Sequence, residues 1–141
     1  MAKQYRVTPQ VRLINRLAWL LAYLGVGGPM VVLTTTGRRT GRERSTPVSP
    51  IEVGGNKYLV APYGEVGWVR NVRANPRVQM RKGRSVRKVT LSETSGEEAA
   101  AAVQAYHKRE AFARRYMDVP DNPTVADFAS AASKFPVFRV D

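Results

Sequence analysis

Apolar positions near the start of the chain recur at helical spacing. Val11, Leu13, Ile14, Leu17, Leu20, Leu21 and Leu24 fall three or four residues apart, with Arg12 and Arg16 set against them. That pattern predicts an amphipathic helix. Thr8 is a suitable cap and Pro9 a suitable first helical residue, while the run Gly25 to Pro29 ends the segment. Trp19 and Tyr23 lie four apart and share one face, which is expected to pack on a core.

From Met30 the period shortens. Met30 to Thr35 is rich in Val and Thr and reads as a buried strand. Ser45 to Val53 reads as a second strand, placed at an edge or a bulge by Pro47 and Pro50. The turn at Gly54, Gly55 and Asn56 leads into a third strand, Lys57 to Ala61. Gly67 to Pro76 reads as a short helix stopped by its proline. The segment VQMRKGRSVRKVTLS alternates about Gly83 as a hairpin. Ser95 to Glu98 resembles a capping box opening a long helix to about Tyr116. Asp121 to Ser133 predicts another helix, and FPVFRV a last strand. Hairpin-connected strands favour an antiparallel sheet. The expectation is one mainly β domain over residues 1–141: a six-stranded antiparallel barrel with flanking helices, residues 1–28 forming an N-terminal helix.

Composition narrows the chemistry. The 141 residues contain no cysteine and a single histidine, His107. Disulfides and thiolate catalysis are excluded, most histidine dyads with them, and no metal site is expected. The uncharged stretch 17–37 is interrupted by Gly27, Gly28 and Pro29, too early for a spanning helix. The chain reads as cytoplasmic, with a first helix able to touch lipid or substrate.

The net charge is +12, from 23 basic and 11 acidic residues, which calls for an anionic partner. The charge is concentrated. Arg38, Arg39, Arg42 and Arg44 surround a turn opposed only by Glu43, and the basic residues between Arg70 and Lys88 meet no acid. Two such segments beside a barrel mouth would form one groove. Arginine suits bidentate capture of phosphate or carboxylate, and Gly37 and Gly41 would let backbone amides approach an anion. No phosphate-loop or dinucleotide-binding glycine pattern occurs. Nucleic acid fits the charge, but aromatics are not interleaved with the basic run, so specific recognition is not expected.

Two longer stretches, LTTTGRRTGRERSTPV and YLVAPYGEVGWVRNVRANPRVQM, together resemble the deazaflavin-dependent nitroreductase family from about Val31 to Val89, with weaker agreement at FPVFRV. The resemblance implies a split β-barrel of the FMN-binding type and coenzyme F420, a deazaflavin with a phosphodiester and an oligoglutamate tail. By matching position, Arg38 and Arg39 would meet the phosphate and tail, with Thr40 and Gly41 offering backbone donors. Arg44, Thr46 and Pro47 would edge the deazaflavin. Ala61, Pro62 and Tyr63 would lie by the ring or its ribityl chain, and Trp68 and Asn71 would close the site.

The resemblance implies hydride transfer from the reduced deazaflavin to an electron-poor acceptor such as an enone, quinone or nitro compound. Tyr63 is the candidate proton donor. Trp19, Tyr23, Tyr106, Phe112 and Tyr116 are the candidate walls of an apolar substrate pocket. An FMN-binding enzyme of the same fold is one alternative. A non-catalytic protein holding lipid or cofactor at a membrane surface is the other, suggested by the first helix.

Overall fold

The structure, a computed structural model, describes residues 9–23, 30–109, 125–132 and 134–141. The chain divides into two compact units, each assembled from separated segments. One unit contains the described residues of 6–50 and 67–91 with Asp141; the other contains those of 51–66 and 92–140.

In the unit that holds the arginine turn, helix α1 (Pro9–Tyr23) packs against β1 (Val31–Thr36), β2 (Glu43–Val48) and β5 (Arg77–Lys82). All strand pairs here are antiparallel. β1 lies between β2 and β5, and β5 continues into β6 (Ser85–Thr94). β6 runs on beyond Leu91 into the second unit's segment. Gly83 has φ of 60° at the β5–β6 turn, a conformation that favours glycine. Arg81 Nε donates to Gly83 O at 2.7 Å and closes that turn.

The register sorts side chains onto two faces. Thr46, Leu33, Met80 and Arg87 form one cross-strand row, and Ser45, Thr34, Gln79 and Lys88 form a row on the other face. Leu33, Thr35, Val78 and Val89 are buried, so the first face carries the core. Helix α2 (Gly67–Ala74) packs on β1 and contributes buried Val69, Asn71 and Val72. The Asn75 side chain accepts from the Arg77 N–H at 3.2 Å, turning the chain at Pro76 from α2 into β5.

The second unit contains β3 (Ile51–Val53), β4 (Asn56–Val60) and β7 (Val137–Val140), again antiparallel, with β4 central. Helix α3 (Gly96–Arg109) covers this sheet and packs on α4 (Val125–Ala132). Ala99, Ala102, Val103 and Tyr106 repeat at helical spacing and are buried with Ile51, Tyr58, Val60, Phe128, Phe135 and Val137. The alanines let the helix backbone approach the strands closely. The single histidine, His107, meets the Phe128 ring edge-to-face at 5.6 Å between centroids.

Among the described residues there are seven strands where six were expected. The continuous strand predicted for Ser45–Val53 is two strands, β2 and β3, separated at Ser49 and Pro50. Pro50 cannot donate to a ladder and pushes Ser49 towards extended, non-pairing geometry. The break coincides with the passage of the chain from one unit to the other. Pro47 is retained inside β2, opposite Val32, because β2 lies at the end of its sheet. The predicted extension of the long helix to Tyr116 lies outside the described residues beyond Arg109.

Candidate functional site

The arginine turn joins β1 to β2. The Gly37 amide donates to Arg42 O at 2.7 Å, and the Gly41 amide donates to Gly37 O at 2.9 Å. The Arg42 amide donates to Thr40 Oγ1 at 3.2 Å. Gly41 has φ of 71°. Both glycine amides are therefore engaged within the turn. The Gly41 amide, expected as a backbone donor, is thus already engaged, and what both glycines contribute here is conformation. The turn is rigid by its own bonds and presents Arg38, Arg39, Thr40, Gly41 and Arg42 to solvent.

Asn71 anchors this turn from α2. Its Oδ1 accepts from the Arg38 backbone N–H at 3.2 Å and from Arg38 Nη1 at 2.9 Å. Its Nδ2 donates to Thr35 Oγ1 at 3.1 Å, and the Thr35 hydroxyl donates to Arg44 O at 3.4 Å. Asn71 is 4% exposed and Thr35 1%. Buried polar groups of this kind are stable only when paired, and here the pairing joins α2, the turn and the start of β2. Thr35 had no place among the expected site residues. Its side chain reads as one more β-former in a threonine run, and only the fold brings it against Asn71.

Arg44 is exposed and Thr46 and Pro47 are half-buried along β2. Trp68 is half-buried at the start of α2. In the second unit, Ala61 and Pro62 are buried and Tyr63 half-buried in a tight turn. There the Ala61 amide donates to Pro136 O at 2.9 Å and the Gly64 amide to Ala61 O at 3.1 Å. Tyr106 sits within that unit's core cluster. The side chains of Trp19 and Tyr23, and Phe112 and Tyr116 entirely, lie outside the described residues.

The basic run between Arg70 and Lys88 is not a single stripe. Alternation along paired strands puts Arg77, Arg81 and Lys88 on one face and Lys82 and Arg87 on the other. The face that also carries Thr46 and Leu33 takes Lys82 and Arg87. The opposite face holds an open groove of about 390 Å³ lined by Thr34, Thr36, Glu43, Arg77, Lys88 and Asp141, among others. Its charges are of both signs, unlike the arginine turn. Among the described residues no group of three metal-binding side chains occurs, and no helix is long and apolar enough to cross a membrane.

A second polar cluster escaped the sequence reading. Tyr58 Oη donates to Glu98 Oε2 at 2.7 Å, and Arg139 Nη1 donates to the same carboxylate at 3.1 Å. Tyr58 and Arg139 are register partners on β4 and β7. Glu98, expected to cap α3, thus also ties the first turn of that helix to the sheet. The Tyr58 phenol is held above its usual pKa of 10.0, first by the hydrogen bond to Glu98 and then by burial.

Comparison with known proteins bears on this arrangement. A solved F420-H2 dependent reductase, FDR-A, aligns over 81% of this chain and 95% of its own, with 28% identity and a TM-score of 0.59. A structure described as a domain-swapped dimer aligns over 95% and 100%, with 26% identity and a TM-score of 0.55. A Listeria innocua protein described as a pyridoxamine 5'-phosphate oxidase shares the fold at 16% identity. It aligns over 86% of this chain and 89% of its own, with a TM-score of 0.54. The sequence profile of the F420H(2)-dependent quinone reductases matches residues 10–125. The chain belongs to that family and is an F420H2-dependent reductase whose cofactor is coenzyme F420.

Proposed function

We propose that the arginine turn is the anion clamp for coenzyme F420, and that the enzyme reduces a quinone, with enones and nitro compounds as related acceptors. The observation that carries this reading is the anchored turn. Asn71 fixes Arg38 at 2.9 Å, while Arg39 and Arg44 stand exposed beside it. Guanidinium groups match phosphate and carboxylate in geometry as well as charge. In this reading Arg38 and Arg39 hold the phosphodiester and the glutamate tail, and Arg44, Thr46 and Pro47 border the ring system. Trp68 helps exclude water. The architecture that presents these residues is the split barrel.

Bound and reduced, the deazaflavin supplies a hydride. The chain's own work is to orient the ring, exclude water and deliver one proton, so that quinone, hydride and proton together give the hydroquinone. Tyr63 is our candidate for holding that proton. The family's name supports the choice of quinone.

The test is titration of the coenzyme into the wild type and the Arg38→Ala/Arg39→Ala double variant. Charge-assisted hydrogen bonds contribute roughly 1.5–3 kcal/mol each, so affinity is expected to fall about a hundredfold or more, with a weaker salt dependence. Unchanged affinity would place the anion elsewhere.

Helix α1 suggests how a lipid-soluble acceptor is met. Leu13, Ile14, Leu17 and Leu20 are 69, 64, 56 and 47% exposed. The face opposed to the arginines is thus not consumed by packing as an ordinary amphipathic core helix would be. Arg12 and Arg16 are exposed on the same helix, and the first acid in the chain is Glu43. An exposed apolar ridge with basic flanks suits an acidic lipid surface. Two copies meeting through it would bring like charges together.

A further inference from the structure

Arg38 is exposed, yet its guanidinium is held by a side chain that is itself buried. The holding group is an amide. Among the described residues no carboxylate forms an ion pair with Arg38, so the positive charge is oriented but not neutralised. A guanidinium offers five N–H donors. Asn71 takes one through Nη1 and steadies the backbone of the same residue. The remaining donors, including the Nε–Nη2 edge, are left for a bidentate ligand.

The second half of the amide is equally committed. Nδ2 donates to Thr35, and Thr35 donates to Arg44 O. This fixes which end of the amide faces Arg38, because exchanging N and O would set a donor against two donors. An aspartate of the same shape would hold Arg38 more tightly but would neutralise it. Alanine would leave the charge intact and the side chain free to explore its rotamers.

We propose that Asn71 is a positioning residue that sets the Arg38 guanidinium for an anionic ligand while leaving its charge uncompensated. It acts through Arg38 and does not itself touch the ligand. The proposal rests on the turn being the coenzyme's anion clamp, and it gives Asn71 a role other than that of closing the site.

Two readouts test it. The first needs no coenzyme. Phenylglyoxal modification of the free protein, followed by peptide mass mapping, gives the reaction rate at each arginine. In Asn71→Ala the rate at Arg38 is expected to rise several-fold while that at Arg39 stays constant. In Asn71→Asp it is expected to fall. The second is titration with coenzyme F420. Asn71→Ala and Arg38→Ala are each expected to weaken binding about tenfold, and the double variant no more than Arg38→Ala alone. Asn71→Asp, which retains an acceptor for Arg38 and serves should the alanine variant not fold, is expected to weaken binding to a similar degree. Additive losses, an unchanged Arg38 modification rate in both variants, or wild-type affinity in Asn71→Asp would each overturn the proposal. Failure of the wild type to bind the coenzyme would reject the clamp reading instead. The modification rates would still judge the Asn71–Arg38 coupling.

Discussion

Gly37 and Gly41 frame the arginine turn for different physical reasons, and alanine at each should reveal the difference. A Cβ on Gly37 would stand 2.9 Å from Arg42 O and 3.3 Å from Thr40 Oγ1. The first of these is a backbone atom, and it is the acceptor of Gly37's own N–H at 2.7 Å. It cannot move away without lengthening the bond that closes the turn. Overpacking costs about 1–3 kcal/mol, and weakening the closing hydrogen bond about 1 kcal/mol more. At Gly41 no atom lies within 4 Å of the added Cβ, but φ is 71°. The cost there is backbone strain alone, about 1–2 kcal/mol, and Asn should recover part of it because it tolerates that region. For a chain of this size about 1 kcal/mol corresponds to roughly 3–5 °C in Tm. Thermal unfolding followed by circular dichroism should therefore rank wild type above Gly41→Asn, then Gly41→Ala, with Gly37→Ala lowest. Coenzyme titration on the same proteins should show the greatest loss in Gly37→Ala, since the displaced Arg42 carbonyl redirects the loop that carries Arg38 and Arg39. A Gly37→Ala variant matching the wild type in both assays would refute the steric argument. Gly41→Asn falling below Gly41→Ala would refute the backbone one.

Other outcomes follow from the same structure. Tyr58→Phe removes the hydrogen bond to Glu98 and should cost about 1 kcal/mol at neutral pH. The folded state holds the Tyr58 proton more tightly than the unfolded chain does, so this contribution is complete below about pH 10 and is lost as pH rises through the raised pKa. Urea unfolding at pH 8 and pH 11 should show a smaller alkaline loss in Tyr58→Phe than in the wild type. Equal losses would mean the phenol is not the titrating group. Replacing Leu13 and Leu17 by Ser should abolish co-sedimentation with vesicles containing phosphatidylglycerol while leaving reduction of a water-soluble quinone unchanged. Retained sedimentation would remove α1 from the lipid contact.

Much of this architecture was legible in the residue pattern, and the gaps have identifiable causes. Pro9 does open α1, and the alternation around Gly83 does form a hairpin. The face of α1 that carries Trp19 and Tyr23 was expected to pack on a core and lies outside the described side chains, and periodicity reports the leucine stripe of this helix but not what covers it. Leu13 and Leu17 are largely exposed. The β2–β3 division was missed because residues Ser45 to Val53 all tolerate extended geometry, and only the pairing partners distinguish two strands from one. The two-faced distribution of Arg77 to Lys88 follows from period two, yet a linear count of charges conceals it. The Asn71–Thr35 contact joins residues far apart in sequence, as does the cluster of Tyr58, Glu98 and Arg139. No local pattern announces such pairs.

The interleaving of segments has a consequence for how the molecule is made. β4 pairs with the last strand of the chain, and β1 with a strand that follows α2. A ribosome therefore releases the first half of each sheet well before its complement exists. Nascent β4 must wait with an unsatisfied edge until Val137–Val140 emerge, which makes the closing step late and non-local. Neither unit can be excised as a contiguous fragment. Removing the residues after Phe135 would expose that edge permanently and convert an enzyme into an aggregation template.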